Sequence, residues 1–196
     1  MGIVLASQSP YRKQLLKQLA VDFETCASHI DEDSFKNKIS NALELTQVLA
    51  FEKAKKVSLE RPDDLVIGSD QAIIFKGEIL GKPKTAENAC KQLELLQGAS
   101  HKLISAVCLL GPNGIKREFY HETTLTMREL SPAQIFNYVE KDQPLECAGS
   151  YMIEKLGITL FESINSTDST SIIGLPLIQL TTHLKELGLF PLDQNP

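Results

Sequence analysis

The chain has 196 residues, 42% of them hydrophobic and 23% charged, with a net charge of −5. That is enough apolar material for one large domain or one domain with two lobes. The acidity excludes a general nucleic-acid footprint, and no apolar run approaches the ~18–20 residues that cross a bilayer.

The first residues read strand, turn, helix. Gly2–Ala6 is an apolar strand, Ser7-Gln8-Ser9 a turn, and Pro10 opens a helix with Ser9 as its cap. Leu15, Leu16 and Leu19 give that helix its apolar face. Arg12 and Lys13 lie in its first turn, where a cation opposes the helix dipole. An anion shared by free N–H groups, the serine hydroxyls and Arg12 would resolve the conflict. A solvated basic face is the plainer alternative. The start of the chain shows no charged region followed by a long apolar stretch, so it does not read as a signal peptide, and the cytosol is the expected location.

Val21–Ala27 is predicted as a second strand leading into the acidic run Asp31-Glu32-Asp33. Such a run is a solvated loop or helix start, and it can also supply a metal ligand. Asn41–Glu60 is predicted as a long helix, with Leu45, Val48, Leu49 and Val57 on one face. Lys53, Lys55 and Lys56 are expected to face solvent, with one of them able to reach a phosphate.

The central stretch is Leu65–Pro83. Leu65-Val66-Ile67 opens a buried strand that runs into Gly68-Ser69-Asp70-Gln71 without losing extended character. Lys76-Gly77 suits a hairpin between Ala72–Phe75 and Glu78–Leu80. Gly81-Lys82-Pro83 then returns a lysine. The Asp70 carboxylate can hold a divalent ion or take a proton from water, and the Lys82 ammonium can neutralise a phosphate.

Thr85 is predicted to cap a helix through Leu96, with Ala89, Leu93 and Leu96 inward and Gly98 as its stop. His101–Leu110 and Ile115–Met127 are long strands joined by Gly111-Pro112-Asn113-Gly114. Ser131-Pro132-Ala133-Gln134 is a capping box, and Ile135, Phe136 and Val139 are expected to face inward. Glu146–Tyr151 is small and tight, Ile158–Phe161 reads as a strand, and Asn165–Ser171 as a mobile surface loop. Leu175–Leu187 is the last helix. Strands and helices alternate and then give way to hairpins, which implies an α/β fold with a mixed sheet. The four cysteines and four histidines are scattered, without zinc-ligand spacing, and the thiols are expected to be free in the core.

Three blocks carry a resemblance: Leu5-Ala6-Ser7-Gln8-Ser9-Pro10-Tyr11-Arg12, Ile67-Gly68-Ser69-Asp70-Gln71 with Gly81-Lys82-Pro83, and Cys147-Ala148-Gly149-Ser150-Tyr151 with Gly157–Glu162. Together, and in this order, they resemble the Maf family of nucleoside triphosphate pyrophosphatases over essentially the whole chain. The resemblance implies one Maf-like domain over residues 1–196, and an elongated, mixed-sheet, two-lobed α/β fold (Maf/ITPase-like) with the active-site cleft between lobes. It implies hydrolysis of a nucleoside triphosphate to the monophosphate and pyrophosphate, with Mg2+ or Mn2+ as cofactor. It makes Asp70 the proton acceptor or a metal ligand, and does not separate those roles. Ser7, Ser9, Arg12, Lys53 and Lys82 become phosphate-binding residues, and Glu32 with Asp70 the metal ligands. No nucleic-acid or membrane partner is implied; a homodimer is suggested.

Tyr11, Gln71 and Glu154 are similar to the specificity positions of the subgroup acting on 7-methyl-GTP. An aromatic face attracts the cationic methylated base, and a carboxylate accepts hydrogen bonds from guanine N1–H and its exocyclic amine. Departures from the family pattern are Lys13 for a second arginine, tyrosine rather than tryptophan at position 11, and Lys155 in place of a common glycine. A dTTP/UTP or other modified-nucleotide pyrophosphatase, and a non-catalytic nucleotide-binding regulator of cell division, are the alternatives.

Overall fold

The structure is a computed structural model, and it describes residues 1–193. A seven-stranded mixed sheet has the order β2-β1-β3-β5-β6-β7, with β4 paired to β3 off that path. The strands are β1 (Ile3–Leu5), β2 (Glu24–Thr25), β3 (Leu65–Phe75), β4 (Glu78–Leu80), β5 (Ser100–Gly111), β6 (Ile115–Met127) and β7 (Phe161–Asn165). The helices are α1 (Pro10–Lys17), α2 (Glu32–Lys36), α3 (Ala42–Ser58), α4 (Ala86–Leu96), α5 (Pro132–Asp142), α6 (Thr170–Ile173) and α7 (Leu177–Glu186). The chain divides into two compact units. The first comprises Met1–Gln71, Ser105–His121 and the chain from Asp168 onward; the second comprises Ala72–Ile104 and Glu122–Thr167.

In the first unit β1 lies parallel to both β2 and β3, with Val4 opposite Glu24 and Val66. Side chains on these strands alternate between two faces. Ile3, Leu5, Leu65 and Ile67 pack with Leu15 and Leu16 of α1 and Leu177, Leu180 and Leu184 of α7. Val4, Ala6 and Val66 pack on the other side with Ala50, Ala54 and Val57 of α3. A core covered on both faces explains why these strands read as apolar runs rather than as polar alternation. Gly68 sets the approach of α3: a Cβ there would lie 2.2 Å from the Ala50 carbonyl oxygen and 2.7 Å from the Ala54 nitrogen. Only a residue without a side chain lets the helix come so close to β3.

In the second unit β3 turns back antiparallel into β4, pairing Ile74 with Ile79. Lys76 (φ 51°) and Gly77 (φ 87°) both take the left-handed conformation that a tight two-residue hairpin demands. Thr85 caps α4 by accepting from the Asn88 N–H, and Ser131 and Gln134 form the capping box of α5.

Several expectations change. Only Glu24–Thr25 of the predicted second strand pairs with β1. On α5 the buried face is Ile135, Tyr138, Val139 and Asp142, while Phe136 is exposed. Those four follow the i, i+3, i+4, i+7 helical stripe, and position 136 lies off it. Ile158–Phe161 is not a strand: Leu156–Leu160 winds as a 3-10 turn, and β7 starts at Phe161, opposite Met127. Gly157 lies so near the backbone of Met152 that a Cβ would sit 2.3 Å from its carbonyl oxygen, which fixes that compact turn. Asn165–Ser171 is a surface loop only in part, with Asn165, Thr167 and Ser169 exposed. Asp168 and Ser171 are buried, and the Asp168 carboxylate accepts from the Ile178 N–H at 2.8 Å, while Thr170 Oγ1 accepts from Leu177 at 2.9 Å. Pro176 precedes α7 and offers no side-chain cap, so these two residues satisfy donors the helix start leaves open. All four cysteines are free, but only Cys108 is buried; the others are partly exposed.

A candidate active site around Asp70

The expected site residues fall into both units, and most of them lie in the first. Asp70 sits on β3, just past the close approach of α3 at Gly68. That approach carries Lys53 of α3 to Asp70, and Lys53 is buried rather than facing solvent. Lys55 and Lys56 stay exposed. The Lys53 Nζ donates to Asp70 Oδ1 at 2.6 Å and lies 2.7 Å from Glu32 Oε1. One ammonium therefore joins two carboxylates from separate elements. Glu32 starts the short helix α2, whose cap is Asp31, accepting from the Ser34 N–H at 3.4 Å. Lys36 meets Glu32 at 3.4 Å from one turn further along.

The electrostatics differ between the two acids. Burial pushes the Asp70 carboxyl above its ordinary value, against the pull of Lys53 and Arg12. Burial would also raise Glu32, but Lys53 and Lys36 outweigh it and hold Glu32 below its ordinary value. A buried carboxylate with a raised proton affinity, beside cations that keep it ionisable, has the properties of a general base.

Arg12 lies in the first turn of α1. Burial lowers its proton affinity, while Asp70 and Glu32 oppose that shift; guanidinium remains charged at neutral pH. Its Nε donates to the Gly174 carbonyl at 3.0 Å. Ser7 and Ser9 stand beside it, but their hydroxyls also serve the backbone: Ser7 Oγ accepts from the Ser9 N–H at 3.2 Å and Ser9 Oγ from the Arg12 N–H at 3.4 Å. Tyr11 is partly buried in the same turn. Gln71 follows Asp70, and its Nε2 lies 3.1 Å from Ser105 Oγ, 3.1 Å from the Ser171 carbonyl and 2.8 Å from the Ile172 carbonyl.

The second unit carries Lys82 and Glu154. Lys82 is exposed and meets Glu146 at 3.3 Å; Lys84 meets the same carboxylate at 3.2 Å. Glu154 is exposed in the turn before the Leu156–Leu160 segment.

Asp70 and Glu32 are hard oxygen donors gathered at one cation. Among the described residues no group of three or more His, Cys, Asp or Glu is assembled for a metal. Two carboxylates fit an ion of the magnesium type, which takes one or two protein carboxylates and completes its shell with phosphate and water oxygens. No helix among the described residues is long and apolar enough to cross a membrane.

Residues that sequence reasoning missed cluster on one short segment. Ser69 is fully buried and donates from Oγ to the Gly174 carbonyl at 2.9 Å. Ser105 donates to the Ser171 carbonyl at 2.6 Å. These partners lie 105 and 66 residues apart in the chain, so no local spacing could reveal them.

The fold places the protein in a known structural class: it is similar to the Ham1 protein of Staphylococcus aureus, with a TM-score of 0.51 and 18% identity over 94% of this chain and 100% of that one. Within that class the family is defined more closely, since the family model described as "Maf-like protein" matches residues 2–187. The chain belongs to the Maf family. It is 41% identical over 186 residues to the 7-methyl-GTP pyrophosphatase of Xanthomonas campestris pv. campestris, covering 95% of this chain and 96% of that protein. It is 43% identical over 188 residues to the 7-methyl-GTP pyrophosphatase of Bdellovibrio bacteriovorus, covering 95% and 97%.

Proposed function

We propose that this protein is a nucleoside triphosphate pyrophosphatase that hydrolyses 7-methyl-GTP to 7-methyl-GMP and pyrophosphate, with residues 1–196 acting as one Maf domain in the cytosol. The observation that carries the reading is the Lys53 ammonium shared by Asp70 and Glu32, in a chain 41–43% identical to proteins of that name. Asp70 takes a proton from the attacking water as the water oxygen bonds to the α-phosphorus and the bond to the leaving pyrophosphate breaks. Oδ1 is held by Lys53, which leaves Oδ2 as the oxygen assigned to that proton.

Arg12, Lys53 and Lys82, with the Ser7 and Ser9 hydroxyls, are assigned to the phosphates. Fixed cations stabilise charge that grows on the leaving group in the transition state. Glu32 and Asp70 would hold a divalent ion, Mg2+ or Mn2+, which when bound neutralises phosphate charge and polarises the phosphoryl oxygens. The two carboxylates and the two cations of this cluster, Arg12 and Lys53, balance to zero. A divalent ion is therefore better accommodated together with the triphosphate than alone.

Base recognition is assigned to Tyr11, whose ring offers a face to a cationic purine, and to Glu154, whose carboxylate accepts from the guanine edge. Gln71, the third position of the resemblance, is assigned to substrate selection with them; its Nε2 meets Ser105, Ser171 and Ile172.

The test is pyrophosphate release with Mg2+ or Mn2+ from 7-methyl-GTP, GTP, dTTP and UTP at equal concentration. A strong preference for 7-methyl-GTP is expected, and Glu154→Gln should reduce that preference. Preference for pyrimidines would retain the Asp70 chemistry and discard the roles of Tyr11 and Glu154. Nucleotide binding without release from any of the four would replace the enzyme with a binding regulator.

A further inference from the structure

Two side-chain amides of α4 hold the loop that carries Lys82. Asn88 and Gln92 stand about one helical turn apart, on one face of α4. Gln92 Nε2 donates to the Gly81 carbonyl at 3.0 Å, and Asn88 Nδ2 donates to the Pro83 carbonyl at 3.0 Å. The two held carbonyls therefore lie on either side of Lys82. Pro83 stiffens the same stretch: its ring fixes its own φ and biases the residue before it, Lys82, toward extended backbone. Past the loop, the Lys84 N–H donates to the Leu145 carbonyl at 3.0 Å.

Gln92 also reaches a third segment. Its Oε1 accepts from Ser150 Oγ at 2.6 Å. Ser150 is fully buried and has a φ of 60°. A serine in that left-handed conformation is strained, and it persists where its surroundings hold it. Its buried hydroxyl needs a partner, and Gln92 supplies one. The amide has a single consistent orientation: the Gly81 carbonyl can only accept, so it faces the NH2 group, and the amide oxygen is left for the hydroxyl. Gln92 is thus a bridge, with its donor end on the Lys82 loop and its acceptor end on a buried turn.

The Lys82 ammonium itself is exposed. Its contact with Glu146 at 3.3 Å is an exposed ion pair that water screens, so a phosphate can displace it. The direction of the side chain is then set by the backbone beneath it. We propose that Gln92 is a positioning residue for Lys82: it ties the Gly81 carbonyl to the buried Ser150 turn and, with Asn88, fixes the backbone from which the ammonium meets a phosphate. The proposal rests on the reading of Lys82 as a phosphate-binding residue. It makes Gln92 act on the phosphate end of the substrate, whatever the base.

The experiment uses a ligand without a base. Affinity of the full chain for inorganic tripolyphosphate and for 7-methyl-GTP is measured by calorimetry in EDTA, for the wild type, Gln92→Met, Lys82→Ala and the Lys82→Ala/Gln92→Met pair. Loss of the hydrogen bonds that fix the loop should weaken tripolyphosphate binding about 5-fold in Gln92→Met. 7-Methyl-GTP and GTP binding should fall by the same factor, leaving their ratio unchanged. The double variant should lose no more than Lys82→Ala alone, since both changes act through one group. A merely structural role would weaken the Lys82→Ala protein by the same factor as the wild type, and that additivity would overturn the proposal.

If Gln92→Met does not fold, Asn88→Ala changes an exposed position of α4 and should give a smaller loss of the same kind. Unchanged tripolyphosphate affinity in a folded Gln92→Met protein would overturn the proposal. Unchanged tripolyphosphate affinity in Lys82→Ala would instead remove the assignment of Lys82 beneath it, while pyrophosphate release by the wild type independently tests the enzyme reading.

Discussion

Each unit buries a polar cluster, and the two clusters solve burial in opposite ways. In the first unit the groups are charged and matched: Lys53 lies between Glu32 and Asp70 at 2.7 and 2.6 Å. In the second unit the groups are neutral. His101 Nε2 lies 3.0 Å from the Tyr151 hydroxyl, and its ring is tilted against Tyr151 and Phe161 at centroid distances of 5.6 and 6.0 Å. His101 Nδ1 finds no hydrogen-bond partner among the described residues, and burial holds the imidazole down to about 4.

The charged cluster is closed by internal ion pairs that a phosphate or a metal ion can compete for. The neutral cluster is closed by aromatic packing and is damaged by any added charge. Buried polarity marks a candidate site only where the charges can be exchanged for a ligand's.

The largest expected effect breaks the charged side of this comparison. Asp70→Asn keeps the size of the side chain and removes the base, so pyrophosphate release should fall by about 10³-fold. Nucleotide binding measured by calorimetry should be largely retained. Full activity in this variant would remove Asp70 from the chemistry.

The neutral side is tested by acid. The folded value of His101 lies below its unfolded value, so the unfolded chain takes the proton first. Stability present above the unfolded value is then lost as pH falls toward about 4. The loss is roughly 3 kcal/mol if the full shift is expressed. Denaturant unfolding at pH 7 and pH 4.5 should show His101→Leu losing less stability than the wild type over that interval. An equal loss in both would show that His101 is not the group responsible.

Lys53→Met sharpens the contrast. It leaves Asp70 and the half-exposed Glu32 without their shared ammonium, and activity should fall by about 10²-fold. The carboxylate is the active form of a base, so activity rises with pH through the Asp70 titration. Removing a cation that favours ionisation moves that titration upward, and the acid limb of the rate profile should shift to higher pH. An unmoved limb would mean that Lys53 does not tune Asp70.

The smallest effect belongs to a buried charge that is neither of these. Asp168 accepts from the Thr170 N–H at 3.0 Å and from the Ile178 N–H at 2.8 Å. It acts as a helix cap, and Asp168→Ala should cost about 1–2 kcal/mol in denaturant unfolding.

The local grammar of the chain was largely legible. Ser9-Pro10, Asn41, Thr85 and Ser131-Pro132-Ala133-Gln134 announce helix starts, and the structure forms each of them. Lys76-Gly77 announces the β3–β4 turn. The misread stretches are those whose structure comes from distant partners. Asn165–Ser171 is polar in composition, yet Asp168 and Ser171 are buried, and Asp168 and Thr170 accept from the first N–H groups of α7. Lys53 carries the usual mark of a solvent residue, but Gly68 admits its helix so near β3 that its ammonium has acidic neighbours rather than water.

By itself the sequence determined the periodic elements, their caps and turns, and Asp70 and Arg12 as candidates, because these follow from side-chain chemistry and spacing within a few residues; Glu32 was singled out from its acidic run only by the family resemblance. Only the tertiary structure decided the pairing of Lys53 with two carboxylates and the seating of Arg12 on Gly174. Those contacts join positions far apart in the chain, and their energies depend on burial, which a linear sequence does not contain.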